Sequence, residues 1–176
     1  VKEYIYAYAL SRENQRKVIA KHNPLATLFL ITAAILIISI PARQQADFAV
    51  VYAYNFLIIG LAVIIINAFM AVLISYLTKK NAHEIMFGLL HMTAVAFIIN
   101  SIILMILYII GMPFGVSSIL WAAAATLIST YYFIVLLAVC AGSIIDEEKK
   151  GMMHAVEVVA LLLWYAFTFY ILPLTA

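Results

Sequence analysis

Five stretches of this chain, residues 24–41, 48–77, 85–110, 119–143 and 152–172, contain between them a single Asp, Glu, Lys or Arg, namely Glu157. A bilayer's hydrocarbon core is about 30 Å thick, and a helix needs about 20 mainly apolar residues to cross it. Inside lipid every backbone N–H and C=O must bond within the protein, so apolar runs of this length are expected to be helices. The expected fold class is therefore all-α: a polytopic integral membrane protein of five transmembrane helices. Residues 1–22 form an N-terminal segment, and residues 23–176 form one five-helix transmembrane domain. With 68% of residues hydrophobic and 10% charged, against about a quarter charged in soluble domains, there is no room for a separate water-soluble domain.

The first span begins at Asn23-Pro24, where Asn caps exposed amides and Pro suits the first helical turn, and it ends before Pro41. It is short, so its flanks must reach the interfaces. The second run would be about 45 Å long as one helix, more than the core requires, and so must tilt, bend near Gly60 or protrude into water. "GMPFGVSS" and "DEEKKG" separate the later spans. No internal repeat is visible, which gives an inverted-repeat transporter no support.

Lys and Arg resist translocation, whereas acidic residues matter little. Nine of the ten basic residues fall on one side: Lys2, Arg12, Arg16, Lys17 and Lys21 before the first span, Lys79 and Lys80 after the second, and Lys149 and Lys150 after the fourth. The other side receives Arg43. The expected topology is N-in/C-out, with Tyr52, Tyr54, Tyr108 and Trp121 near the outer surface and Tyr76 near the inner one. In the N-terminal segment, "SRENQRKVIAKH" offers Ser11 as a cap and a basic helical face. That face suits an anchor on anionic headgroups or a surface that docks on protein.

Polar residues within the hydrocarbon region are Asn55, Asn67, His91, Asn100, His154 and Glu157, with His83 and Glu84 at the start of the third span. The N-in topology brings Glu84, His91, His154 and Glu157 to the inner half of the membrane. Glu84 and His91 are nearly in line on their helix, about 10 Å apart, and His154 and Glu157 are an i, i+3 pair. A charge in mid-membrane costs about 2.5–3.5 kcal/mol on insertion scales, so Glu157 is expected to face protein or water, be partnered or be protonated. Three uses stand open: a structural clamp tying the fifth span to the third, an ion or proton site formed by Glu157, His154, His91 and Glu84, or a metal site. The asparagines are expected to hydrogen-bond across helices, and "WAAAATLIST" with Ala138 and Gly142 to let the fourth span pack closely.

Enzyme motifs are missing: there is no Walker-type glycine loop, no G-x-S-x-G elbow and no H-E-x-x-H, since Phe87 stands where the second histidine would be. No catalytic residue and no cofactor is expected. Cys140, the single cysteine, lies in an apolar run and reads as a packing residue. A formal charge of +2 gives no reason to expect a nucleic-acid partner.

The order of parts resembles the Yip family, five-span membrane proteins that interact with Ypt/Rab GTPases. The resemblance lies in "NPLATLFLITAAILII" as first span, a short outer turn, a long second span and the inner loop "LTKKNAHEIMFGLL". It continues in "YYFIVLLAVCAGSIIDEEKKGMMHAVEVVALLL" as fourth span, charged loop and final span. It implies the same fold and topology, a role in membrane trafficking or shaping, and a small-GTPase or membrane-protein partner. The function expected is thus that of a non-enzymatic scaffold or partner-binding protein of the membrane, the cell membrane in a prokaryote, working by helix packing and self-association. The alternative is a small ion, proton or metal-cation channel or transporter using the His/Glu residues.

Overall fold

A computed structural model describes residues 2–39, 48–111 and 117–171, and these are all-α, with no strand among them. Two short helices, α1 (Lys2–Tyr8) and α2 (Arg12–Ala20), precede five longer ones: α3 (Pro24–Ser39), α4 (Phe48–Thr78), α5 (Ala82–Gly111), α6 (Ser117–Ser143) and α7 (Lys150–Ala166). A 3-10 turn at Glu147–Lys149 leads into α7, and a π-helical turn at Phe167–Ile171 follows it. Arg43, Pro41 and the 112–116 turn lie outside the described residues, as does the tail from 172.

Among the described residues four helical stretches are long and apolar enough to cross a membrane: Tyr52–Thr78, Ala82–Leu104, Ala123–Ser143 and Glu147–Tyr170. A fifth is reached if Arg12–Ala20 and Pro24–Leu36, which meet at a bend of 113°, are taken together. The 16 residues of α3 extend for about 24 Å, so the helix is short, as its sequence predicts. Asn23 Oδ1 accepts the amides of Leu25 (2.9 Å) and Ala26 (3.3 Å), the cap expected ahead of Pro24. The long second run is one unbroken helix through Gly60.

In the bundle α5 is central, packed on α3, α4 and α6, while α6 in turn carries α7. Ala138, Cys140 and Ala141 are buried along α6, small side chains that permit close approach. An aromatic chain ties the last three helices: Phe97 to Phe133 (4.6 Å between ring centres), Phe133 to Trp164 (5.9 Å) and Trp164 to Phe167 (5.5 Å), the latter two edge-on. Asn67 Oδ1 accepts from Thr93 Oγ1 (3.3 Å), a bond between α4 and α5 of the kind expected for the asparagines. The α4–α5 and α6–α7 turns sit together at one end, where Lys80 Nζ donates to Ile144 O (3.0 Å). This is the charged end of the bundle.

Candidate functional site

The polar residues of the long apolar helices are reached from the N-terminal segment. The chain reverses between α1 and α2 through a C-terminal cap in which Ser11 N donates to Tyr6 O (3.1 Å) and Leu10 N to Ala7 O (3.2 Å). Leu10 occupies the left-handed position that glycine usually takes, with φ 64°. Ser11 stands at the N-cap of α2, but its hydroxyl makes no cap hydrogen bond and instead accepts from Asn14 Nδ2 (2.8 Å). Gln15 Nε2 donates back to Ala7 O (3.2 Å), bracing the hairpin.

This hairpin docks on the bundle. Val18 and Ile19 are buried, and α2 packs on α5 and α6. The approach is close because position 88 is glycine: a Cβ there would lie 2.3 Å from Ile19 Cγ2 and 3.0 Å from Ile19 O. Arg16 Nη2 donates to Ile145 O (2.8 Å) and Arg16 Nε to Ser143 O, so one guanidinium satisfies carbonyls freed at the end of α6. Arg16 thus places one positive charge of the basic face of α2 at a helix C-terminus.

Three polar ties run deeper. Tyr4 OH lies 3.3 Å from His91 Nε2, and His91 Nδ1 lies 2.9 Å from Thr27 Oγ1. The Thr27 hydroxyl donates to Asn23 O (2.9 Å), so a neutral His91 with its proton on Nδ1 satisfies every group of this chain. Tyr8 OH donates to Asn100 Oδ1 (3.4 Å), which also accepts from Ser129 Oγ (2.5 Å), and Tyr132 OH donates to Tyr8 O. Tyr132 lies about 16 Å along α6 from Ser143 at about 1.5 Å per residue, so α1 reaches well into the bundle.

The third tie is ionic. Arg12 Nη2 donates to Glu157 Oε1 at 2.7 Å, and His154 Nδ1 lies 3.0 Å from Glu157 Oε2. The Glu157 side chain is 15% exposed and that of His154 61%, so the pair joins a covered carboxylate to an open imidazole. Room for Glu157 comes from Gly142, where a Cβ would stand 2.4 Å from Glu157 Cγ.

The expectation that His154 and Glu157 tie the fifth span to the third is corrected here, because the partner of Glu157 is Arg12 of α2, and α7 packs on α6 and α4. The physical reason is charge: a covered carboxylate gains more from a guanidinium than from His91, whose two nitrogens are already engaged. The four candidate residues are divided accordingly. His154 and Glu157 are together, His91 belongs to the Tyr4–Thr27 chain, and Glu84 is exposed at the start of α5. Among the described residues no group of three or more His, Cys, Asp or Glu is placed to hold a metal ion.

Sequence reasoning missed Tyr4, Tyr8, Arg12 and Gly88, and marked Gly142 for close packing without its neighbour Glu157. The i, i+4 spacing of Tyr4 and Tyr8 was a signal that these hydroxyls share a helical face. Arg12 and Gly88 had no local signal, since their roles depend on which helices meet. No family model, curated protein or solved structure matches this chain.

Proposed function

We propose that this chain is a non-enzymatic, five-span membrane protein of N-in/C-out topology, acting as a scaffold or partner-binding component through helix packing and self-association. The charged end then faces the cytoplasm, and the N-terminal hairpin is an integral cap on it. The observation that carries this reading is that His91 and Glu157, two of the four residues of the ion-site alternative, and Asn100 beside them are each engaged by a residue of the hairpin: Tyr4, Arg12 and Tyr8. Groups satisfied in this way specify packing. The resemblance to the Yip family supports the same reading, with a small GTPase or membrane protein as a partner for the cytoplasmic surface.

The rival is ion or proton handling, which the open imidazole of His154 beside Glu157 favours. For conduction through Glu157, Arg12 must first leave. Flux of protons and divalent cations into proteoliposomes separates the two readings, with the native chain compared with Glu157→Gln. The expected result is no flux above empty liposomes in either case; flux that Glu157→Gln abolishes would overturn the scaffold reading. Self-association is checked separately by subunit counting in bilayers, where a wholly monomeric population would remove that part of the proposal.

A further inference from the structure

Beyond the hairpin's ties, a cleft of about 700 Å³ opens at the charged end between α2, the α4–α5 turn and the α6–α7 turn. Its lining carries both signs of charge above an apolar floor. Arg16 and Lys80 are held side by side because they bond successive carbonyls, Arg16 those of Ser143 and Ile145 and Lys80 that of Ile144. Each also has a loose carboxylate neighbour on an exposed side chain, Arg16 Nη1 at 3.7 Å from Glu147 Oε1 and Lys80 Nζ at 3.4 Å from Asp146 Oδ1, which a stronger phosphate acceptor can displace. Glu84 also lines the cleft, and among the described residues it has no ion-pair or hydrogen-bond partner. Ile19 and Ile85, both buried, close its base.

An isolated anion here would face Glu84 and Asp146, and an isolated cation would face Arg16 and Lys80. A zwitterion satisfies both sets. The cleft lies where α4 and α6 end and α5 begins, at the boundary between the apolar spans and water, which is the level of phospholipid headgroups. We infer that this cleft binds the headgroup of a zwitterionic phospholipid bearing a primary ammonium. The phosphate diester sits by Arg16 and Lys80, and the ammonium donates hydrogen bonds to Glu84. The primary ammonium is specified because the carboxylate can accept N–H bonds from it, and a quaternary ammonium has none to give.

The test is native mass spectrometry of the full chain with phosphatidylethanolamine, phosphatidylcholine or phosphatidylglycerol at equal concentration. The native chain is expected to retain phosphatidylethanolamine several-fold better than either other lipid. Glu84→Gln should erase its advantage over phosphatidylcholine, and Lys80→Gln should weaken both zwitterionic lipids. Equal retention of all three by the native chain, or an undiminished preference in Glu84→Gln, would overturn the site. Unchanged retention in Lys80→Gln would overturn the placement of the phosphate. Soluble phosphoethanolamine is expected not to displace the lipid at matched concentration, and displacement would show that the ligand is a free zwitterion instead.

Discussion

The two short helices at the start of the chain hold to the same bundle by different physics. α2 lies against it through its backbone, with Ile19 fitted onto Gly88 and Arg16 bonded to the end of α6. α1 packs chiefly on α2 and reaches the bundle through the ends of its tyrosines, together with the buried Ala7. Close apolar packing is lost all at once when one atom is misplaced, whereas hydroxyl ties are lost singly and cheaply. The fit is also incomplete at the junction: Gln15 Oε1 and Arg12 Nε are buried without a hydrogen-bond partner. Docking of α2 is therefore expected to be a condition for docking of α1, and not the reverse.

The largest effect expected is from Gly88→Val, which drives a side chain into Ile19 and its carbonyl and costs about 3 kcal/mol as overpacking. Thiol labelling reads the outcome, because the native Cys140 is buried. In this background both Ala7→Cys and Val18→Cys should become reactive, and protection of Val18→Cys would show that α2 does not depend on that contact. Glu157→Ala comes next. It leaves Arg12 without its ionic partner, and since the Arg12 side chain is 36% exposed the cost falls between that of surface and buried pairs, about 2 kcal/mol. A lower melting temperature in detergent, restored when Arg12→Ala is added, is the expected signature; two independent, additive losses would deny the coupling.

Tyr8→Phe sharpens the contrast. It removes one donor from Asn100, which keeps its bond from Ser129, so a loss of about 1 kcal/mol is expected. Ala7→Cys should gain reactivity while Val18→Cys stays protected. Equal exposure of both would mean that the helices undock as one unit.

The division between the two helices also explains what could be read from sequence. The spans were legible because hydropathy is local: the limits of α4 and α6 follow from where charge begins again, at Lys79 and Asp146. The Asn23-Pro24 start was legible for the same reason, since cap and first turn are adjacent in the chain. That Glu157 needed a partner followed from the cost of burying its charge. Which partner it takes did not, because Arg12 is 145 residues away and arrives only through a reversal at Leu10, a residue with no turn preference. His91 and Glu84 looked like one site because helical spacing measures position along α5 and says nothing of what stands opposite each residue.

The smallest effect is expected at the outer rim of the hairpin, where Lys21 Nζ lies 2.9 Å from Glu3 Oε2 and joins the end of α2 to the start of α1. The hydrogen bond from Lys21, and then its charge, hold the Glu3 carboxyl below the ordinary carboxylate range. A depressed folded-state pKa means that the contribution is present above the unfolded value and is lost as pH falls through the folded one. Both side chains are largely in water, so solvent and salt screen the pair. Acidification below the carboxylate range should therefore raise labelling of Ala7→Cys slightly in the native chain, an increment that Glu3→Gln removes. Val18→Cys should show no such increment, because α2 is held by contacts in which Glu3 takes no part. An acid response that persists unchanged in Glu3→Gln would show that the Glu3–Lys21 pair is not the pH-sensitive tie at the tip of α1.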